Sequence, residues 1–325
     1  MKLHRRGFLH LTAGATLLPA MPRRGWAQAY PARPVHWIVG FAPGGGNDIV
    51  ARLMGQWLSE RLGRQFVIEN RPGASSLLAT EAVANAAPDG YTLLLASVQN
   101  ATSPPLFPNF KVNFLRDLTP IAGIMRVPEV MVVDPSLPAK TIPEFIAYAK
   151  ANPGKLNMGS AGTGSISHLA GELFQALAGV SLVHVPYRGN GPALTAVLGG
   201  QVDLAFPSLP SAIAHIKTAK LRALGVTSTV RSEAIADVPT ISEFLLRYDA
   251  SSWYGAAAPA GTPPDVIDRL NREINAGLAD ATLKARLAEL GGMTIAGSPA
   301  DFEMLMAEEV QKWAKVIRTA NIKVE

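Results

Sequence analysis

The sequence predicts an α/β protein with two domains and mainly parallel sheets. The chain has 325 residues, which is more than one domain usually holds, and its hydrophobic fraction of 48% is too high for a disordered polypeptide. From residue 35 onward, short apolar runs alternate with segments whose apolar residues recur at helical spacing. That alternation is typical of parallel strands joined by helices.

The first part of the alternation is predicted to form a β-α-β-α-β unit. Gly63 is expected to stop the first helix, because glycine readily adopts the left-handed conformation that ends helices. The turn residues Pro88-Asp89-Gly90 are expected to lead into the third strand. The predicted elements are the strand 35–39, a helix over 49–58, the strand 66–68, the helix 77–86 and the strand 91–96.

A second sheet is predicted after residue 119. The apolar run 119–133 follows a Pro-rich stretch and is long enough for two strands or for one long crossing strand. The alternation then restarts with the helix 143–150, the strand 156–159, the helix 168–178, the strand 183–185, the helix 192–198, the strand 202–206, the helix 211–218 and the strand 221–226. The last segment, 302–317, has an apolar stripe that predicts docking on a core rather than on a partner.

Four predicted helix starts carry a Ser or Thr followed three residues later by an acidic residue. This is the pattern of a capping box, in which the hydroxyl accepts a hydrogen bond from a backbone amide of the first helical turn. The four positions are Thr141, Thr240, Thr262 and Ser298.

Charge and composition exclude several classes of function. The formal net charge of +5 comes entirely from five basic residues before residue 30, so the rest of the chain is neutral. A neutral body does not attract phosphate backbones or anionic lipid, and we therefore expect no nucleic-acid partner. The chain has no Cys, which excludes a disulfide scaffold, a thiolate nucleophile and zinc sites with sulfur ligands.

Residues 1–29 are predicted to be an export signal. They combine a basic start, an apolar stretch over 8–20 and a small-residue triplet at 27–29, so cleavage is expected near Ala29. The pair Arg5-Arg6 resembles a twin-arginine signal, with an ordinary secretory signal as the alternative. No later segment is long and apolar enough to span a bilayer, and we expect a soluble protein of the periplasm.

Two Gly-rich loops follow predicted strands and precede predicted helices. The first loop is 40–48, GFAPGGGND, and the second loop is 159–168, GSAGTGSISH. Backbone N–H groups and the positive end of a helix converge at such a junction, which suits a carboxylate or a phosphate. Neither loop has the spacing of a nucleotide-binding motif. Each alone is compatible with a simple tight turn, but two equivalent loops favour a ligand held between two domains.

Polar side chains accompany these loops. Asp48 would repel a bound anion, so it is expected to cap backbone amides and hold the first loop, with direct ligand contact as the lesser alternative. Tyr187 and Arg188 follow a predicted strand, where α/β sheets place ligands, and Arg188 is either a carboxylate partner or a surface residue. The second loop carries four hydroxyl side chains, those of Ser160, Thr163, Ser165 and Ser167.

The sequence lacks a catalytic constellation. The serines of the second loop do not have the G-x-S-x-G spacing of a nucleophile elbow. After residue 30 the chain has four histidines without metal-ligand spacing, namely His36, His168, His184 and His215. We therefore expect neither an enzyme, nor a metal, nor a cofactor, and we expect His168 to brace the second loop.

Ordered sequence blocks resemble the extracytoplasmic solute-binding receptors of the tripartite tricarboxylate transporter system, the Bug family. The resemblance runs from about Pro34 to Ile322. Among the blocks that carry it are FAPGGGND at 41–48, ENRPGA at 69–74, APDGYTLLLAS at 87–97, HVPYRGNGPAL at 184–194 and APAGTPPDVIDRLNREI at 258–274.

The resemblance implies a type II periplasmic binding protein fold, in which two α/β domains joined by two crossing hinge strands enclose a ligand cleft. Domain 1 would comprise residues 30–125 plus 255–325, and domain 2 residues 126–254. It further implies a monomer that captures a small organic carboxylate and delivers it to integral membrane subunits. A sensor that signals to a regulatory partner is the alternative.

The resemblance also implies which residues bind the ligand. One carboxylate would be held by the first loop, through Phe41, Ala42, Gly45, Gly46, Asn47 and Asp48. The other end would be held by Ser160, Ala161, Thr163, Gly164 and Ser165, and Ser97 and Tyr187 would border the cleft. One departure concerns the ligand: relatives typically have Gly-Gly-Asn where this chain has Ser75, Ser76 and Leu77. Dicarboxylates, monocarboxylates and aromatic acids all remain compatible with the sequence.

Overall fold

The computed structural model describes residues 30–107, 109–319 and 322. The predicted export signal, residues 1–29, lies outside the described residues. Two sheets with helices on both faces form the described part of the chain. The strands are β1 (Val35–Val39), β2 (Phe66–Asn70), β3 (Thr92–Ser97), β4 (Leu118–Pro128), β5 (Val130–Val133), β6 (Asn157–Ser160), β7 (Val183–Pro186), β8 (Leu204–Ala205), β9 (Arg222–Val226), β10 (Ser251–Pro259) and β11 (Met293–Thr294).

The helices connect these strands largely as predicted. They are α1 (Gly46–Leu62), α2 (Leu77–Ala84), α3 (Val98–Leu106), α4 (Phe114–Asp117), α5 (Ile142–Ala151), α6 (Ile166–Ala178), α7 (Asn190–Leu198), α8 (Leu209–Lys217), α9 (Pro264–Ala279), α10 (Ala281–Glu289) and α11 (Pro299–Thr319). Gly63 ends α1 in the left-handed conformation, as predicted, with φ of 67°. Three short 3₁₀ turns lie at Ala74–Ser76, Glu233–Ile235 and Ile241–Glu243.

The two sheets are mixed, so the prediction of mainly parallel sheets is wrong. The first sheet has the strand order β11-β4-β10-β3-β1-β2, and the second has β7-β6-β8-β5-β9. The β-α-β units pair in parallel, as expected for strands joined by helices. The remaining pairs are antiparallel and all involve β4, β5 or β10. These strands carry the chain between the sheets, and no local sequence pattern determines their direction.

Only Glu129 separates β4 of the first sheet from β5 of the second sheet. The apolar run at 119–133 is therefore two strands, one of the two predicted alternatives. β10 pairs with β4 along its whole length. β10 is buried along its whole length and β4 along most of it, because helices cover both faces of the first sheet.

Each sheet is packed between helices, which gives three layers. Trp37 of β1 is fully buried in the same apolar cluster as Met54 of α1 and Leu270 of α9. On the opposite face Trp253 packs edge-on against Phe302 of α11, which confirms that the terminal amphipathic helix docks on the core. This packing fixes the strand ends from which the loops of the candidate site emerge.

Three of the four predicted helix caps are confirmed. The hydroxyls of Thr141 and Ser298 accept hydrogen bonds from the amides three residues later, and Thr240 has the reciprocal capping box. The prediction at Thr262 is wrong, because the helix begins after Pro263. The Thr262 hydroxyl instead donates to the carbonyl of Pro259 at 2.8 Å.

The helix α3 was missed by the sequence reading. It contains Pro104 and Pro105, which discourage a helix prediction because proline lacks an N–H and fits poorly inside a helix. Both prolines lie in the last turn. At the other end the side-chain oxygen of Asn100 accepts a hydrogen bond from the amide of Ser97 at 2.9 Å, which stabilises the helix start.

Candidate functional site

A cavity of about 230 Å³ lies between the two sheets, and we refer to it as the cleft cavity. It lies beyond the carboxyl ends of β1, β2, β6 and β7, where α/β sheets usually bind their ligands. The lining residues are Gly40, Phe41, Gly73, Ala74, Ser75, Phe107, Ala161, Gly162, Thr163, Tyr187 and Arg188. Four residues of the predicted site are among them: Phe41, Ala161, Thr163 and Tyr187.

Direct hydrogen bonds join the two sides of the cleft cavity. The amide of Ala42 donates to the carbonyl of Arg188 at 3.0 Å. The hydroxyl of Ser75 donates to the carbonyl of Thr163 at 2.5 Å. The hydroxyl of Thr102 donates to the carbonyl of Gly164 at 3.3 Å. The first loop is therefore bonded to the segment after β7, and the second loop is bonded to Ser75 and to α3.

Most amides of the second loop already have acceptors within the protein. Those of Ala161, Gly162 and Gly164 donate to Ser167 Oγ, Ser160 Oγ and His168 Nδ1, respectively. The amide of Ser165 donates to the carbonyl of Gly162. Thr163 lines the cavity, and its amide has no acceptor among the described residues. Within 161–165, that amide is the donor available to a ligand.

Two stacked imidazole rings form hydrogen bonds with the second loop. The rings of His168 and His184 lie 3.9 Å apart, centroid to centroid, and His184 Nε2 is 2.6 Å from the hydroxyl of Ser160. His168 Nδ1 accepts the amide proton of Gly164, so His168 braces the loop as expected. Burial and the neighbouring His168 lower the pKa of His184 to about 4. His184 is therefore neutral at physiological pH, which avoids an unsolvated charge beneath the loop.

Asp48 holds the first loop together. Its carboxylate, only 4% exposed, accepts hydrogen bonds from the amide of Gly44, the guanidinium of Arg52 and the side-chain amide of Asn70. Burial by itself would raise the pKa of Asp48, but these hydrogen bonds outweigh it and lower the pKa below its usual value. Asp48 is therefore ionised, with protein donors around it.

The amino end of α1 faces a different part of the interior from the cleft cavity. A Cβ atom on Gly46 would lie 2.4 Å from Ser208 Oγ and 2.5 Å from the Tyr254 hydroxyl, and the space beside Gly45 is bounded by Asn190. Asn47 is buried in the same turn. These three predicted residues and Asp48 are not among those that line the cleft cavity.

The remaining predicted residues lie next to the cavity lining. Ser97 is fully buried at the start of α3, and Ser160 and Ser165 form hydrogen bonds within the second loop. Gly164 has a positive φ of 78°, and a Cβ there would approach Leu106 and Phe107 at 3.1 Å. A glycine at 164 is thus required both by the turn and by the close approach of α3.

The loop 71–76 and Phe107 form the third wall of the cavity, through Gly73, Ala74, Ser75 and the Phe107 ring. The sequence singles out Ser75 and Ser76 as a departure that bears on the ligand, whereas it does not predict Phe107 as a wall residue. Three consecutive residues in this loop, Ala74, Ser75 and Ser76, have positive φ angles of 44°, 48° and 78°. Such a run is unfavourable for residues other than glycine, so composition gives no signal for it. Ser76 fits because Gly40 has no side chain: a Cβ on Gly40 would lie 2.0 Å from Ser76 Oγ.

Metal binding and membrane insertion find no support in the described residues. Within 30–107, 109–319 and 322, no three His, Asp or Glu side chains cluster as metal ligands would. No helix of that part of the chain is both long and apolar enough to cross a bilayer.

Comparison with known proteins identifies the family. The sequence model of the tripartite tricarboxylate transporter family receptor, TctC, matches residues 50–322. Protein BugT of Bordetella pertussis is 37% identical over 302 residues, which cover 92% of this chain and 93% of that protein.

Two solved structures are similar over nearly the whole described chain. The periplasmic binding protein BugD is 34% identical with a TM-score of 0.88, over 91% of this chain and 100% of that one. The R. palustris protein Rpa4515 with adipate is 35% identical with a TM-score of 0.88, over 90% of this chain and 99% of that one. Both share the fold described above, and the matched family is one of receptors rather than enzymes. The chain belongs to the family of tripartite tricarboxylate transporter receptors, the Bug proteins.

Proposed function

We propose that the protein is a monomeric periplasmic receptor that captures a small carboxylated anion in the cleft cavity and delivers it to membrane transporter subunits. The observation that carries the proposal is the composition of the cavity wall. Its lining residues include Arg188, which is basic, and Thr163, whose amide has no acceptor among the described residues, and no acidic residue is among them. An anion there gains a charged partner and a backbone donor without facing a like charge. Adipate in the similar R. palustris protein supports the same ligand class.

Four of the predicted site residues contact the ligand directly in this proposal: Phe41, Ala161, Thr163 and Tyr187. The other nine shape and hold the two loops. They are Ala42, Gly45, Gly46, Asn47, Asp48, Ser97, Ser160, Gly164 and Ser165. The division follows from the cavity lining, which contains only the first four of these residues.

Ligand capture closes two domains, residues 30–125 plus 255–325 and residues 126–254. The paired strands β4 and β10 lie at both proposed boundaries, and β4 leads into the second sheet after one residue. A ligand that contacts both loops favours the closed arrangement, because it gains binding energy from both sides only there.

Export removes residues 1–29 in this proposal, with cleavage near Ala29. The basic start, the short apolar stretch and the small residues at 27–29 support it. Mass determination of the protein recovered from the periplasm would test the cleavage position. An intact amino terminus there would exclude it.

The test of the proposed function is calorimetric titration of the purified protein with mono- and dicarboxylates. Arg188→Gln is expected to weaken binding of the best anion about tenfold to a hundredfold, because a hydrogen bond to a charged group contributes about 1.5–3 kcal/mol. Arg231→Gln is the matched control, since Arg231 pairs with Glu243 on the surface away from the cavity. Equal affinity in the Arg188 variant, or no binding of any carboxylate by folded protein, would refute the proposal.

A further inference from the structure

The wall of the cleft cavity combines aromatic rings with a single cation. Three of its lining residues, Phe41, Phe107 and Tyr187, are aromatic, and Arg188 is the single basic residue among them. Most of the other lining residues are Gly or Ala, which expose little beyond backbone. The cavity therefore has one polar side and an otherwise largely apolar surface.

This charge distribution distinguishes between one and two carboxylates on the ligand. One carboxylate can meet the guanidinium of Arg188 and the open amide of Thr163. A second carboxylate would have no second cationic side chain in the wall, and a carboxylate removed from water without a partner is strongly disfavoured. A flat apolar body, in contrast, gains free energy against the aromatic rings.

Ser75 contributes a contact between two walls of the cavity. Its hydroxyl donates to the carbonyl of Thr163 across the cleft at 2.5 Å, and both residues line the cavity. The two residues are 88 positions apart in the chain, so this bond draws together two segments of the wall that are distant in sequence. The cavity has a volume of about 230 Å³.

We propose that the cleft cavity is selective for a compact monocarboxylate with a flat apolar body, such as an aromatic acid, and that Ser75 is the residue that excludes longer dicarboxylates. This inference rests on the proposed function. The carboxylate lies at Arg188 and Thr163, and the ring lies against Phe41 and Phe107. The Ser75 hydroxyl keeps the far end of the cavity closed.

The experiment is calorimetric titration of the purified protein with benzoate, adipate and succinate. Benzoate is expected to bind at least tenfold more tightly than either dicarboxylate. Tighter binding of adipate or succinate than of benzoate would overturn the inference and leave the proposed function intact. No heat of binding with any of the three, from protein shown to be folded, would count against both, and a wider carboxylate panel would then decide the proposed function separately.

Variants at Phe107 test the aromatic wall. Phe107→Ala is expected to weaken benzoate binding about tenfold, with a smaller effect on succinate, because an aromatic contact contributes about 0.5–1.5 kcal/mol beyond its buried area. Phe110→Ala is the matched control, since Phe110 lines with Phe107 a neighbouring cavity but does not line the cleft cavity. Equal losses of benzoate affinity in both variants would overturn the role of Phe107. Thermal unfolding without ligand shows whether either variant has lost its fold.

Variants at Ser75 test the length limit. Ser75→Ala removes the hydroxyl and keeps the Cβ, and Ser75→Gly also relieves the left-handed backbone conformation. In both variants the ratio of benzoate affinity to adipate affinity is expected to fall about fivefold or more, because both remove the hydrogen bond to Thr163. An unchanged ratio in both variants would overturn the assignment of Ser75. If the affinity ratio changed only in Ser75→Gly, the backbone conformation would be its cause, and the role of the hydroxyl would likewise be overturned.

Discussion

Glu129 places a carboxyl group in the interior at the point where the chain passes from the first sheet to the second. The residue is fully buried, and neither carboxyl oxygen has a hydrogen-bond partner among the described residues. Burial raises the pKa of Glu129 well above its usual value, because the ionised form would be unsolvated. Glu129 is therefore protonated in the folded protein.

This protonation makes the free energy of unfolding depend on pH. Above the ordinary pKa of a glutamate, about 4.5, the unfolded chain releases the proton and the folded chain keeps it. Stability therefore falls as pH rises through the window between the two pKa values, by up to about 1.4 kcal/mol for each pH unit. Glu129→Gln removes this dependence, so in urea unfolding its free energy of unfolding relative to the natural protein should rise as pH increases above about 4.5. Parallel pH profiles for the two proteins would contradict the protonated state.

At the scale of a single element, the first turn of α1 depends on close packing. Gly46 lies against Ser208 and Tyr254 with no space for a Cβ atom, whereas a Cβ on Gly45 would have no neighbour nearer than 3.8 Å. The sequence reading attributed the glycines of this loop to ligand contact. The structure gives Gly46 a packing role, which implies that changes there affect the fold.

Substitution of these two neighbouring glycines tests that role. Gly46→Ala is expected to reduce the free energy of unfolding by about 1–3 kcal/mol, the usual cost of overpacking an interior. Gly45→Ala is the matched control, because its φ of −81° suits any residue and its Cβ has room. We expect a loss well below 1 kcal/mol there in urea unfolding. Equal losses would show that packing against Ser208 and Tyr254 is not the cause.

At the scale of the whole molecule, hydrogen bonds join the two sides of the cleft cavity. One of them joins the hydroxyl of Thr102, in α3, to the carbonyl of Gly164, in the second loop. The Thr102 hydroxyl is also 3.1 Å from the carbonyl of Gln99, within the same helix. Under the proposed domain closure, the bond to Gly164 forms only when the two sides of the cleft meet, and it then favours the closed state.

Thr102→Val removes that bond with little change in side-chain volume. Affinity for the best carboxylate should fall about two- to tenfold, the equivalent of one neutral hydrogen bond. Thr195→Val is the matched control, because the Thr195 hydroxyl donates to the carbonyl of Gly191 within α7. Calorimetry measures the affinities, and small-angle scattering of the ligand-free proteins measures the fraction that is open. Unchanged affinity in Thr102→Val would contradict a role in closure.

The sequence by itself determined the features that depend on nearby residues. The alternation of strands and helices, three of the four caps, the end of α1 at Gly63 and both Gly-rich loops follow from spacing and local chemistry. The ordered blocks also indicated the family, because many of them occur in the right order over the chain. Each of these signals is carried within a few residues, where backbone and side-chain preferences act directly.

Long-range packing decides the directions of the crossing strands, the position of Phe107 in the cavity wall, the partner of the Ser75 hydroxyl, and which loop amide is available to a ligand. Each depends on a partner distant in the chain, as in the contact between Ser75 and Thr163. The left-handed backbone at 74–76 is locally unfavourable and has no sequence signal. It persists because surrounding contacts, including the absence of a side chain at Gly40, favour it only in the folded protein.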